Sequence, residues 1–255
     1  MNDAPSPPVE RPASATPPRE VLNVRGLSAG YGAMRVIHDL DLIVSSGERV
    51  GLVGLNGHGK STLFYAIAGL TGWQRGSIKL NGLEVGRTRS QGPGRYTHEI
   101  VRAGLALIPQ GDEIFHGLTV EEHLDSGAFT TRAWRERATR KERILEIFPP
   151  LKRLMNVPVG RLSGGERRMV SIGRGLMAEA SLFLVDEPTL GLAPKIGKSV
   201  IDALMDVELG ESAMVIAEQN VSVLEGRVDR IIGMHAGKLK GKASAALALE
   251  VPGRA

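Results

Sequence analysis

The chain has 255 residues and carries 32 lysines and arginines against 28 acids, a net charge of +4 that is mild and not that of a polycation. Its 42% hydrophobic content is enough to fill the core of one domain with an inserted lobe, which excludes disorder of the whole chain. With no cysteine, a disulfide framework, a thiolate metal site and a cysteine nucleophile are all excluded.

Residues 1–20 hold 6 of the 14 prolines and lack the apolar run of a signal peptide, so they are expected to form an extended, solvated arm. No apolar stretch approaches the ~18–20 residues a membrane-crossing helix needs. Residues 21–25 and 35–44 alternate apolar with polar and predict half-exposed antiparallel strands. Residues 49–53 are nearly all apolar, as in a strand buried on both faces, and lead into a glycine loop and an apolar helix to Leu70. Further buried strands are predicted at 105–109, 182–185 and 214–217, with helices between them, the pattern of a parallel sheet with crossovers. The charged, helical stretch from about 96 to 159 reads as a lobe inserted on an α/β core. In its basic run, Glu136 and Arg140 make an i, i+4 pair, which favours an exposed helix over a nucleic-acid surface, and Trp134 is expected to pack the lobe.

The loop Gly54-Leu55-Asn56-Gly57-His58-Gly59-Lys60-Ser61 fits G-x-x-x-x-G-K-[ST], with a strand before it and a helix after it. Glycines let successive amides turn inward, and the helix start adds partial positive charge, so the loop is a cradle for triphosphate oxygens. Lys60 is expected to reach the β and γ phosphates and Ser61 to ligate Mg²⁺, with Thr62 and Asn56 as further polar contacts. A turn that binds nothing would not need this strand–loop–helix context.

Ser181-Leu-Phe-Leu-Val-Asp-Glu-Pro188 is an apolar strand ending in two adjacent acids. In isolation they read equally as solvated acids at a strand end. Downstream of a phosphate loop, and with this strand lying beside the loop's strand, Asp186 is expected to hold Mg²⁺ and Glu187 to polarise an attacking water. Leu162-Ser-Gly-Gly-Glu-Arg-Arg168 precedes another apolar helix. Ser163 and Glu166 have capping-box spacing, which explains those two residues without a ligand. It does not explain Gly164 and Gly165, each costing ~1 kcal/mol in a helix interior relative to alanine. Bare backbone at a helix start is a second anion site, so either a second ligand exists or two chains share their nucleotides.

These three motifs together, in this order, resemble the ATP-binding cassette (ABC) ATPases over about residues 21–240, with residues 241–255 as a tail. The resemblance implies a P-loop ATPase fold with a small antiparallel β subdomain and a helical subdomain, using ATP and Mg²⁺. It implies a head-to-tail dimer in which Ser163, Gly164, Gly165 and Glu166 of one subunit complete the phosphate site of the other. It also implies that Tyr31 stacks on adenine, that Gln110 senses the metal and the attacking water, and that Leu190-Gly-Leu-Ala-Pro194 links the two sites. Pro109-Gln-Gly-Asp-Glu-Ile-Phe115, Leu118-Thr-Val-Glu-Glu122 and Glu218-Gln-Asn220 look most like the ATPase subunits of branched-chain amino acid or urea importers. Such systems imply a second, different ATPase, two permeases and an extracytoplasmic solute-binding protein, with the ATPase on the cytoplasmic face of the inner membrane and no nucleic-acid partner.

Two positions depart from the family. Gln219 stands where most members carry a histidine against the γ-phosphate; it donates a hydrogen bond but does not titrate, implying hydrolysis unlike that of the partner's site. His58 replaces a small residue and is expected to face solvent as a bystander. The remaining histidines show no metal-ligand spacing, so no structural zinc is expected. Two rival classes fit less well: a soluble cassette ATPase acting on nucleic acid or ribosomes, which usually carries fused cassettes, coiled coils or zinc modules not visible in this sequence, and a binding module without turnover, for which position 187 should lack its acid.

Overall fold

The computed structural model describes residues 19–86, 97–111 and 113–242. The expected arm, except for Arg19 and Glu20, and the expected tail beyond Lys242 lie outside the described residues. The chain opens with β1 (Glu20–Tyr31), β2 (Met34–Ser45) and β3 (Arg49–Val53), followed by α1 (Lys60–Ile67), β4 (Trp73–Leu80) and β5 (Leu83–Gly86). Then come α2 (Thr97–Arg102), β6 (Leu105–Ile108), α3 (Val120–Asp125), α4 (Thr131–Arg135) and α5 (Arg137–Ile147). The last part holds α6 (Gly164–Leu176), β7 (Leu182–Asp186), α7 (Pro194–Met205), β8 (Ala213–Glu218), β9 (Arg230–His235) and β10 (Lys238–Lys242).

Two sheets form. One is antiparallel, in the order β2-β1-β4-β5; the other runs β10-β9-β3-β8-β7-β6 and is parallel except for β10. The strands of the parallel sheet are apolar on both faces because each face has its own core. Val50 and Leu52 of β3, Leu182 and Leu184 of β7, and Val215 and Ala217 of β8 join β1, β2 and α1 in one core. Val53, Phe183, Val185, Met214 and Ile216 point the other way, into a core shared with α6, α7 and the helical lobe. Full burial of each such Val, Leu or Ile is worth about 1.5–3 kcal/mol, so the two cores hold firmly the strand ends that carry the site.

Three expectations are corrected. The strand expected at 105–109 is β6, which pairs with β7 in the parallel sheet, so the helical lobe expected from about 96 follows Ile108 instead. β7 is not beside β3, because β8 lies between them; α1 crosses the sheet and brings the start of its helix over β7 instead. Trp134 is half exposed, with the Arg137 guanidinium 4.2 Å over its ring, because the short α4 buries Ala133 and not the tryptophan.

Candidate active site

The phosphate loop turns out of β3 and into α1 at Gly59, whose φ of +102° is a left-handed conformation that a side chain would strain. No side chain caps this helix start, and no acid lies in its first turn, so its amides are open to an anion. Lys60 is almost fully buried; its Nζ donates to the carbonyls of Gly54 at 2.7 Å and Leu55 at 3.4 Å, and pairs with Glu187 Oε1 at 2.9 Å. The other Glu187 oxygen accepts from Gln110 Nε2 at 3.2 Å. Asn56, Gly57, Gly59, Lys60, Ser61, Thr62, Gln110 and Glu187 line one cavity of about 200 Å³, to which Val36 of β2 adds an apolar wall.

Asp186 ends β7 with no exposure to solvent, and no hydrogen bond of acceptable geometry reaches either of its carboxylate oxygens. Burial pushes its carboxyl above the usual range; Ser61 beside it pulls it down, Glu187 raises it further, and Lys60 and Arg168 oppose that. Two orphaned hard oxygens next to a serine hydroxyl and an open helix start suit a magnesium ion bound with ATP. Because the folded carboxyl titrates higher than the unfolded one, stability falls as pH rises from the unfolded value of 3.8 through the raised folded value. Asp186→Asn is therefore expected to melt no lower than wild type in buffer without nucleotide, while losing at least ~10²-fold in ATP hydrolysis. A clearly lower Tm for the variant would show that the carboxylate is a stabilising structural contact.

The Ser163 turn has the geometry of a complete capping box. Ser163 Oγ accepts from Glu166 N–H at 3.4 Å, and Glu166 Oε2 accepts from Ser163 N–H at 2.9 Å, which holds the Glu166 carboxyl below its usual range. Packing explains only one of the two glycines. A Cβ on Gly165 would lie 2.9 Å from Ile196 Cγ2, whereas one on Gly164 would meet nothing nearer than Arg167 Nη2 at 3.9 Å. Ser163 and Gly164 are exposed, and this turn does not line the cavity of its own chain.

Tyr31 ends β1, exposed, and Gln219 follows β8, also exposed; neither lines the cavity. His58 corrects its expectation of facing solvent, since its Nδ1 lies 3.1 Å from Met234 O and its ring packs edge-on against His235 at 4.5 Å. The His58 carbonyl also accepts from Gly237 N–H, tying the phosphate loop to the β9–β10 hairpin. Sequence reasoning passed over Val36, and it did not assign a role to Glu218, a buried acid ending β8 whose Oε1 accepts from Thr189 N–H at 3.0 Å. Burial raises the Glu218 carboxyl, just as it does for Asp186. An acid closing an apolar strand was the signal available in both places.

The segment following Gln110 is tied to the helical lobe through His123 of α3. Its Nε2 accepts from Phe115 N–H at 3.2 Å, while its Nδ1 is buried without a partner. Burial first, and the Arg174 charge second, push the imidazole down to about 4. The folded state therefore binds this proton less readily than the unfolded chain, and stability is lost as pH falls from 6.5 towards 4. His123→Gln, which keeps an acceptor for Phe115, is expected to flatten that part of a Tm–pH profile. An unchanged acid slope would assign the loss to other groups.

A family profile described as ABC transporter matches residues 37–190. The chain is 34% identical over 219 residues to the high-affinity branched-chain amino acid transport ATP-binding protein BraG of Pseudomonas aeruginosa, covering 86% of this chain and 91% of that one. It is 36% identical over 202 residues to the probable branched-chain amino acid transport ATP-binding protein LivF of Archaeoglobus fulgidus, covering 76% and 80%. Among solved structures, an ATP-binding subunit of an ABC transporter superposes with a TM-score of 0.70 at 28% identity, covering 88% of this chain and 90% of that one.

Proposed function

The chain belongs to the ABC transporter family as an ATP-binding, ATP-hydrolysing subunit, and from that premise we propose that it powers import of a small solute, a branched-chain amino acid or an amide such as urea. In this reading residues 21–240 form the cassette, which sits on the cytoplasmic face of the inner membrane. No described helix is long and apolar enough to cross a membrane, so anchorage falls to two permease subunits. A second, different ATPase and an extracytoplasmic binding protein complete the assembly.

The observation that carries the catalytic part is the chain of contacts Lys60–Glu187–Gln110 lining one cavity, with the orphaned Asp186 carboxylate beside Ser61. The residues 54–62 wrap the phosphates with backbone amides, and Lys60 meets the charge that develops on the terminal phosphate and its bridging oxygen. Ser61, Asp186 and Gln110 would hold magnesium, which when bound neutralises phosphate charge. Glu187 accepts the proton of the water that attacks the γ-phosphorus as the bond to ADP breaks, and Gln110 orients that water. Tyr31 stacks on the adenine. The partner's Ser163 turn closes the site, which gives the bare Gly164 backbone its purpose; Gln219 meets the γ-phosphate as a donor that never titrates.

The import reading rests on the likeness to the two branched-chain amino acid transport relatives across most of both chains. Its test is to copurify the chain with its permeases, reconstitute them in vesicles with the binding protein, and follow labelled leucine and urea. ATP-dependent accumulation on the side of the ATPase is expected. Transport in the opposite direction, or copurification with nucleic acid and no permease, would overturn it.

A further inference from the structure

We infer that Arg168 is a positioning residue of ATP hydrolysis: one buried guanidinium grips the peptide carbonyls on both sides of Gln110 and on both sides of Glu187. Its Nη1 donates to Pro109 O at 2.9 Å and to Gly111 O. Its Nη2 donates to Asp186 O at 2.9 Å, and its Nε to Pro188 O at 3.2 Å. The four acceptors are the residues immediately before and after the two side chains that bond each other in the cavity.

A fixed grip is needed there. Glu187 has a φ of +42°, a left-handed conformation that strains a residue with a side chain and persists only where surrounding bonds impose it. Two such bonds come from the sheet side: Glu187 N–H donates to Ala217 O at 2.9 Å, and Thr189 N–H to Glu218 Oε1 at 3.0 Å. Arg168 supplies the opposing pair and extends it to the Gln110 backbone. Only a planar fork with five donors spans carbonyls on two separate segments; a lysine ammonium is a point with three.

A role limited to holding α6 in place accounts poorly for the choice of residue. Arg168 is 2% exposed, on a helix that gives Met169, Val170, Ile172 and Leu176 to the hydrophobic core. A buried cation carries a desolvation cost that an apolar side chain of similar volume avoids. Arg168 lies five residues after Ser163 on the same helix, so a shift of that turn moves the fork directly. This last link, and the word hydrolysis, rest on the functional reading above.

The test compares Arg168→Gln and Arg168→Lys in the full chain, measuring kcat, KM, ATP affinity and amide hydrogen exchange. The Gln variant is expected to lose ~10- to 100-fold in kcat, with KM and ATP affinity within about threefold of wild type and the Lys variant in between. Exchange is expected to quicken at residues 109–111 and 186–190 but not in β3 or α1. Wild-type kcat in both variants overturns the inference. So does a parallel fall of kcat, ATP affinity and protection of β3 and α1, the mark of a structural role; if the Gln variant does not fold, the same split in the Lys variant decides. Lys60→Ala reports on the underlying reading: full turnover there removes the ATP site itself, whereas an inactive Lys60→Ala beside fully active Arg168 variants removes only the positioning role.

Discussion

Lys60→Ala is expected to lower ATP hydrolysis by at least ~10²–10³-fold and, separately, to destabilise the fold by about 3–5 kcal/mol. The first loss follows from removing the donor aimed at the charge that develops on the phosphates. The second follows from Glu187, which is 5% exposed and keeps its buried carboxylate 2.9 Å from the Lys60 ammonium. Without the cation that charge has Gln110 as its remaining side-chain partner among those the structure gives it. The two effects come apart in the double variant Lys60→Ala/Glu187→Gln, which is expected to regain most of the stability and none of the activity. Denaturant melts and phosphate release on the two proteins measure this. If Lys60→Ala melts like wild type, the pair adds nothing to stability; if it consumes ATP normally, the assignment of the site collapses.

Glu187→Gln is expected to reduce turnover by ~10²–10⁴-fold while ATP still binds, with closed dimers accumulating in its presence. The amide keeps the size of the carboxylate but cannot take the proton of the attacking water. It also releases Lys60 from a fixed negative charge, so ATP affinity is expected to hold or rise. Equilibrium ATP binding, size-exclusion chromatography with ATP and single-turnover phosphate release read the three parts. Unimpaired turnover would remove Glu187 from its role.

Where sequence and structure agree, the signal was strong and local. The strand at 49–53 coincides with β3, since an apolar run ending in a glycine loop has few other folds open to it. Ser163 and Glu166 form the capping box that their spacing announced. Other features were hidden because their causes are distant in the chain. β4 interrupts its alternation at Gly76, whose φ is +104° and whose absent side chain leaves room for the Arg25 carbonyl. β9 and β10 carry charged residues that a sequence pattern assigns to loops, and β9 gains its place by pairing with β3, about 180 residues upstream. Arg168 was given no role, since nothing nearby in the chain hints that its acceptors are at 109, 111, 186 and 188. The motifs put Asp186 and Ser61 together, but not the route by which they meet, with β8 between β3 and β7 and α1 packed against β7.

The alternation of β7 has a consequence for what changes this chain tolerates. Leu182 and Leu184 face one core, Phe183 and Val185 the other, and Asp186 closes the strand. Inserting or deleting a single residue within 182–185 would turn over the part of the strand on one side of the change, sending its side chains to the wrong layer and turning Asp186 relative to the residues before it. A one-residue slip in this strand is thus punished twice, in the packing of both layers and in the placement of the acid that closes it.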